Sequence, residues 1–395
     1  MKGRELAVIG IGDVEAGWFP ERPGLKMVID ASRNAIMDAG IKKEDIGAVL
    51  FGPCLSDERL QLHIAVGRLI DELGLKNCRM NSVINCGGMS LSACITNARG
   101  LIDNGIADTV LINTEEQFSR FTPEVAGMFF NDRAGQYYEW EMPYGMTFNS
   151  IAAMYTQRYK YDTGTTDEQL ASVVEAFRKW GAMNPHARFK KPVTREDVLN
   201  SKMVTTPLRS FMCNVVTDGG YAFIVTTLEK AKEMGRDPVY ITGHGLGPAL
   251  HFSPVQNPAK DLSYLGLDKA VEKALSDANV TIDDVDILEA HTSYPVFALM
   301  TLEEAGFCKK GEAGKFVMNG NTSPGGKLPM TTHGECLSVG HTGMGSIWAV
   351  FNEAITQLRN EAGERQVKDA EIALFTSGGG AYMQFDAMIL KKELS

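Results

Sequence analysis

Apolar positions along this chain fall into two spacings that take turns. Ala7 to Ile11 is a short, nearly continuous apolar run, the signature of a buried strand. Gly24 to Ala39 has apolar residues every three to four positions and is followed by Gly40, a helix with its stop signal. The same order continues with a strand over Ile46 to Phe51 and a helix over Leu60 to Leu73. A strand over Arg79 to Ile84, a glycine-rich turn, a helix to about Asn104 and a strand over Thr109 to Asn113 come next. Strands that alternate with helices predict an α/β protein with a mostly parallel, helix-covered sheet.

The alternation breaks between about 115 and 209, where Phe, Tyr, Met and charged residues predict helices and loops. A long excursion from a regular α/β core suits a lid or a binding region. Strand character returns over Val215 to Val225 and Val239 to Ile241. The second half then predicts helices over Tyr264 to Ala278, Val296 to Ala305 and Ser346 to Leu358. Its strands are Val285 to Glu289, Glu371 to Ser377 and Ala387 to Lys391. Leu25 to Phe51 and Leu267 to Glu289 share a plan: a helix closing on Asp-Ala, an acidic turn, then a strand. That repeat divides the chain into similar halves, 1–245 with its excursion and 246–395.

Composition narrows the partners. The 395 residues carry a formal charge of -10, which argues against nucleic acid or an anionic membrane as the main partner. No apolar stretch approaches the ~18 residues of a membrane span. The start, Met1-Lys2-Gly3-Arg4-Glu5 leading straight into the first strand, does not resemble a signal peptide. Seven scattered cysteines form neither a disulfide framework nor a zinc-type pair, so a cytoplasmic location is expected.

Four loops at the C-terminal ends of expected strands carry candidate chemistry, the place where open α/β sheets put ligands. Asn85-Cys86-Gly87-Gly88-Met89-Ser90 places Cys86 ahead of a helix N-terminus, where a thiolate is favoured. Glu289-Ala290-His291 places a histidine directly after a strand. Gly325 to Gly343 holds His341 between glycines, with His333 and Cys336 nearby. Ser377-Gly378-Gly379-Gly380 offers backbone amides to an anion. Each histidine has the proton affinity for general acid–base work near neutral pH. Each of these loops, alone, is also open to a purely structural role.

Taken in order, these loops resemble the thiolase superfamily along essentially the whole chain. Val8-Ile9-Gly10-Ile11-Gly12, Gly105-Ile106-Ala107-Asp108-Thr109-Val110-Leu111, Thr217-Asp218-Gly219-Gly220, Glu289-Ala290-His291 and Gly340-His341 match its motifs. Asn184-Pro185-His186-Ala187 and Gly326-Lys327-Leu328-Pro329 are similar to its sterol-carrier-type and lipid-transfer-like branch. The resemblance implies duplicated βαβαβαββ halves in a five-layered αβαβα sandwich. It implies a 3-oxoacyl-CoA thiolase with Cys86, His291 and His341 as catalytic residues. Gly88, Ser293, His333, Gly379 and Gly380 are then substrate or oxyanion residues, with no metal or other cofactor and coenzyme A as co-substrate. A homodimer is implied, as is a small zinc-ribbon and OB-fold partner, with benzoylsuccinyl-CoA among the substrates of such two-subunit relatives.

Departures from the family pattern leave a second reading open. Counting back from Asp108 places the family nucleophile at Gly88, two residues after Cys86. Ser293 stands where sterol-carrier-type thiolases place a cysteine, and Ser377 lies near the late cysteine of classical members, so Cys336 or a histidine would have to serve as the second acid/base. An aldolase or an acyl-CoA-binding subunit without a cysteine nucleophile is the alternative.

Overall fold

The computed structural model describes residues 5–54, 62–133, 139–233, 237–250, 261–379 and 382–394. In the N-terminal part, β1 (Leu6–Gly17), α1 (Gly24–Ala39), β2 (Ala48–Phe51), α2 (Leu62–Leu73), β3 (Met80–Val83), α3 (Ser90–Asp103) and β4 (Thr109–Glu116) follow the expected alternation. The excursion supplies α4 (Pro123–Arg133), α5 (Phe148–Thr163), α6 (Asp167–Met183) and α7 (Arg195–Asn200), then the small hairpin β5 (Met203–Thr205) and β6 (Leu208–Arg209). The chain continues with β7 (Asp218–Thr226), α8 (Leu228–Lys232), β8 (Val239–Leu246), α9 (Leu267–Ala278), β9 (Ile287–Ala290) and α10 (Pro295–Glu304). It closes with α11 (Ala313–Met318), α12 (Glu335–Val339), α13 (Gly345–Leu358), β10 (Ile372–Gly379) and β11 (Gln384–Lys391).

Nine strands join in the order β3-β2-β4-β7-β1-β8-β11-β10-β9. The two halves meet where β1 runs antiparallel to β8 over Leu6 to Val8. Alternation along the strands assigns the layers. On β7, Tyr221, Phe223 and Val225 face the core that holds α3 and α13, while Ala222 and Ile224 face α1 and α2. On β11, Met388 and Leu390 face that same central core, while Ala387 and Ile389 face α9 and α10. Period-two strands buried on both faces therefore separate three helical layers, which is the five-layered αβαβα sandwich.

Small residues let the layers close. A Cβ on Gly10 would lie 2.3 Å from the Ala35 carbonyl oxygen, and one on Gly12 would lie 2.2 Å from that of Ala31. Only glycine allows β1 to touch α1 this closely. Among the described residues, no helix is long and apolar enough to cross a membrane.

Candidate active site

Cys86 sits at the tip of the loop between β3 and α3. The loop is a turn in which the Met89 N–H donates to the Cys86 carbonyl at 3.2 Å and Gly87 takes φ +58°. The Cys86 N–H donates to Ser90 Oγ at 2.9 Å. Cys86 is exposed and lies four residues ahead of the first residue of α3. This corrects the expectation of direct helix-dipole activation, because the dipole acts within the first turn.

The glycines after Cys86 bind the two halves together. A Cβ on Gly88 would fall 2.3 Å from the Gly378 carbonyl oxygen, and one on Gly379 would fall 2.1 Å from Gly88 Cα. The Cys86 loop thus rests backbone-to-backbone on the end of β10. Gly88 works in packing here, whereas Gly379 also lines the cavity described next.

Cys86, His291, Ser293, His341 and Gly379 line one cavity of about 700 Å³. The excursion closes it: Phe130 from α4 and Phe148 from α5 form part of its wall. Phe130 meets the His341 ring edge-on at 5.0 Å between centroids, and His341 meets His291 at 5.6 Å. Phe129 instead stacks on Phe121, and Trp140 and Tyr144 are exposed, so only part of the aromatic excursion faces the cavity. Tyr137, Tyr138, Gly380 and the Arg133 side chain lie outside the described residues.

His341 is fixed by its backbone. Its N–H donates to the Val215 carbonyl, and its own carbonyl accepts from the Thr217 N–H. Gly340 takes φ +104°, and a Cβ there would lie 2.5 Å from the Thr217 side chain. A Cβ on Gly343 would lie 2.5 Å from Glu116 Oε1, so the Gly-His-x-Gly spacing answers a steric demand on both sides. The His341 Nδ1 is buried without a hydrogen-bond partner. Burial, then the neighbouring His291 charge, push its pKa down to about 3, which keeps the ring neutral at neutral pH.

His291 follows the last residue of β9 and extends its pairing by donating its N–H to Thr376 at 2.9 Å. Its ring is held on both nitrogens. Nδ1 lies 3.1 Å from Glu335 Oε1, and Nε2 lies 3.1 Å from Ser293 Oγ. Glu335 is fully buried and also accepts from the Thr292 and Ser293 N–H groups at 3.0 and 3.2 Å and from that of Cys336. Burial alone would raise its carboxyl; His291 and these backbone donors outweigh burial and hold it at about 2. Sequence reasoning passed over Glu335. Its signal was an acidic residue inside an otherwise apolar and glycine-rich stretch.

Cys336 stands behind the histidines. Its sulfur is 3.9 Å from His291 Nδ1, it is 2% exposed, and burial pushes its thiol well up. It does not line the cavity. His291, Cys336 and His341 place donor atoms within 4.8 Å of one another, the metal-type grouping found among the described residues. Both His291 nitrogens are already engaged there, so a metal would have to displace Glu335 or Ser293.

His333 faces elsewhere. It borders a separate cavity with Asp13, Glu353 and Arg365, and burial depresses it to about 4. Of the basic residues 178–191, Arg178 lies under Phe189 and Phe211, and Lys190 borders the His333 cavity; neither lines the Cys86 cavity.

Backbone strain marks the same place. Ser293, Thr331, Glu335 and Tyr382 take φ of 60°, 49°, 54° and 65°, and Ser293 and Tyr382 line the cavity. Non-glycine residues held there cost on the order of 1–3 kcal/mol each and cluster at functional sites.

A cysteine and two histidines line one walled cavity of a five-layered αβαβα sandwich, and this is the candidate site. The chain belongs to the thiolase superfamily. Residues 251–392 match the family model "Thiolase C-terminal domain-like". An acetyl-CoA acetyltransferase of Methanothermobacter thermautotrophicus is 30% identical over 387 residues, covering 95% of this chain and 97% of that one. The 17-hydroxy-3-oxo-4-pregnene-20-carboxyl-CoA lyase of Mycobacterium tuberculosis is 30% identical over 395 residues, covering 96% and 98%. The benzoylsuccinyl-CoA thiolase subunit BbsB of Thauera aromatica is 31% identical over 244 residues, 61% of this chain and 62% of that one. Among solved structures, an Ltp2-ChsH2(DUF35) aldolase superposes with a TM-score of 0.83 at 26% identity, covering 99% of this chain and 98% of that one.

Proposed function

We propose that this chain is an acyl-CoA C-acyltransferase that cleaves or forms the carbon–carbon bond of a 3-oxoacyl-CoA through an acyl-Cys86 intermediate. The observation that carries this reading is that Cys86, His291 and His341 line one cavity. In the cleavage direction the neutral His341 takes the Cys86 proton, and the thiolate attacks the 3-oxo carbon. His291, held by Glu335 on Nδ1, donates to the carbonyl oxygen. The bond between C2 and C3 breaks, the departing acyl-CoA takes a proton at C2 from His291, and the acyl group stays on sulfur. Coenzyme A then accepts it: His291 takes the coenzyme A thiol proton, that sulfur attacks the acyl carbon, the bond to Cys86 breaks, and the Cys86 sulfur recovers its proton from His341.

The aldolase names among the relatives support a second reading, retro-aldol cleavage without an acyl-enzyme. The retained Cys86 and the pair of histidines favour the transferase. A wall built from Phe130, Phe148 and Tyr382 suits an aromatic or branched acyl group, such as that of benzoylsuccinyl-CoA. A homodimer and a small DUF35-type partner complete the proposal; the partner named with the aldolase neighbour supports the latter.

Treatment with iodoacetamide followed by peptide mapping tests the reading. Labelling of Cys86 that tracks the loss of thiolysis is expected. Full thiolysis by Cys86→Ala contradicts the transferase and leaves the aldolase.

A further inference from the structure

Ser293, which the transferase reaction does not use, joins His291 and Glu335 in a chain of three polar groups. Its Oγ is 3.1 Å from His291 Nε2, and His291 Nδ1 is 3.1 Å from the buried carboxylate of Glu335. The Ser293 N–H also donates to that carboxylate at 3.2 Å. One acid therefore fixes both the imidazole and the serine backbone. Serine, histidine and carboxylate in this order form the arrangement that activates a hydroxyl, recognised by geometry and not by sequence position.

The backbone at Ser293 has a matching form. Ser293 lies between the end of β9 at Ala290 and the start of α10 at Pro295, with φ +60°. A strained strand-to-helix turn is the device that projects a nucleophilic serine into a pocket. Ser293 lines the same cavity as Cys86.

We propose that Ser293 is a second acyl acceptor, giving the protein a hydrolytic activity on acyl-CoA thioesters independent of Cys86. Ser293 Oγ attacks the thioester carbonyl carbon while His291 Nε2 takes the hydroxyl proton. The carbon–sulfur bond breaks, and the coenzyme A sulfur leaves with that proton as a thiol. Water then attacks the seryl ester and His291 takes a proton from it. The ester bond breaks, Oγ recovers the proton, and a carboxylic acid departs. Acyl-CoA and water give acid and coenzyme A, with no redox partner. Glu335 acts through His291 and is a positioning residue.

The test uses the full-length Cys86→Ala protein with acetyl-CoA and benzoyl-CoA, following release of free thiol. Hydrolysis is expected, along with labelling of Ser293 by a fluorophosphonate. Adding Ser293→Gly, which suits the left-handed backbone and removes the hydroxymethyl side chain, should lower hydrolysis by on the order of 10²-fold or more. Glu335→Gln should shift the pH profile of hydrolysis and weaken the labelling, effects that simple packing would not produce. Absence of hydrolysis in Cys86→Ala, or equal hydrolysis with Ser293→Gly added, overturns the inference. Failure of the transferase reading is recorded separately, as undiminished thiolysis of a 3-oxoacyl-CoA by Cys86→Ala.

Discussion

Replacing Glu335 with glutamine probes the electrostatic centre of the site. The carboxylate has no exposure and receives His291 Nδ1, the Thr292 and Ser293 N–H groups on one oxygen, and the Cys336 N–H on the other. A glutamine presents one acceptor oxygen and one NH₂ group. If its oxygen meets His291, its NH₂ faces the Cys336 N–H, and a buried donor loses its partner at a cost of about 1–3 kcal/mol. The lost charge gives a similar figure. Holding the carboxyl from 4.5 down to about 2 corresponds to roughly 3 kcal/mol of folding stability.

The sign follows from the lowered pKa. The folded state binds the Glu335 proton less readily than the unfolded state, so the contribution is complete above about pH 4.5 and disappears as pH falls through about 2. Urea titrations should find Glu335→Gln destabilised by about 3 kcal/mol at pH 7, with the gap to wild type shrinking below pH 4.5. Turnover should fall by roughly 10²–10⁴-fold in kcat with KM little changed, because the imidazole loses the partner that sets its tautomer. A variant within 0.5 kcal/mol of wild type that keeps its kcat would refute the reasoning.

Other consequences concern packing and the second cavity. Gly88→Ala should cost about 1–3 kcal/mol by overpacking against Gly378 and Gly379, and should lower turnover by displacing the Cys86 loop; melting curves and steady-state rates check it. His333→Gln should leave turnover within a few-fold of wild type, since His333 borders a different cavity. His333 stays neutral down to about pH 4 when folded but takes a proton near 6.5 when unfolded. It therefore costs wild type up to roughly 3 kcal/mol as pH falls from 6.5 to 4, and the stability of His333→Gln relative to wild type should rise over that window.

Local signals in the chain were strong where one element decides its own boundaries. The helix α1 spans Gly24–Ala39 and stops at Gly40 with φ +64°, as its apolar spacing and glycine foretold. The strand β1 runs on to Gly17, beyond the expected Ile11, because its pairing with β7 continues where local apolarity ends. The five-residue helix α12 carries too few turns to declare a period, and Glu335 was hidden with it. Cys86, His291 and His341 were legible because each follows a strand or stands between glycines. Glu335 was not, since its meaning comes from the backbone of Thr292 and Ser293, more than forty residues earlier in sequence. His333 shares its loop with His341, yet the short helix between them turns it towards another cavity.

The claim that Cys86 carries the acyl group is tested most directly by mass spectrometry of the protein, quenched in acid after mixing with a panel of acyl-CoAs and digested. The account predicts an acyl mass increment on the peptide containing Cys86, removed by added coenzyme A and absent from Cys86→Ala. A wild-type protein that turns over a 3-oxoacyl-CoA without an acyl group ever residing on Cys86 would contradict it.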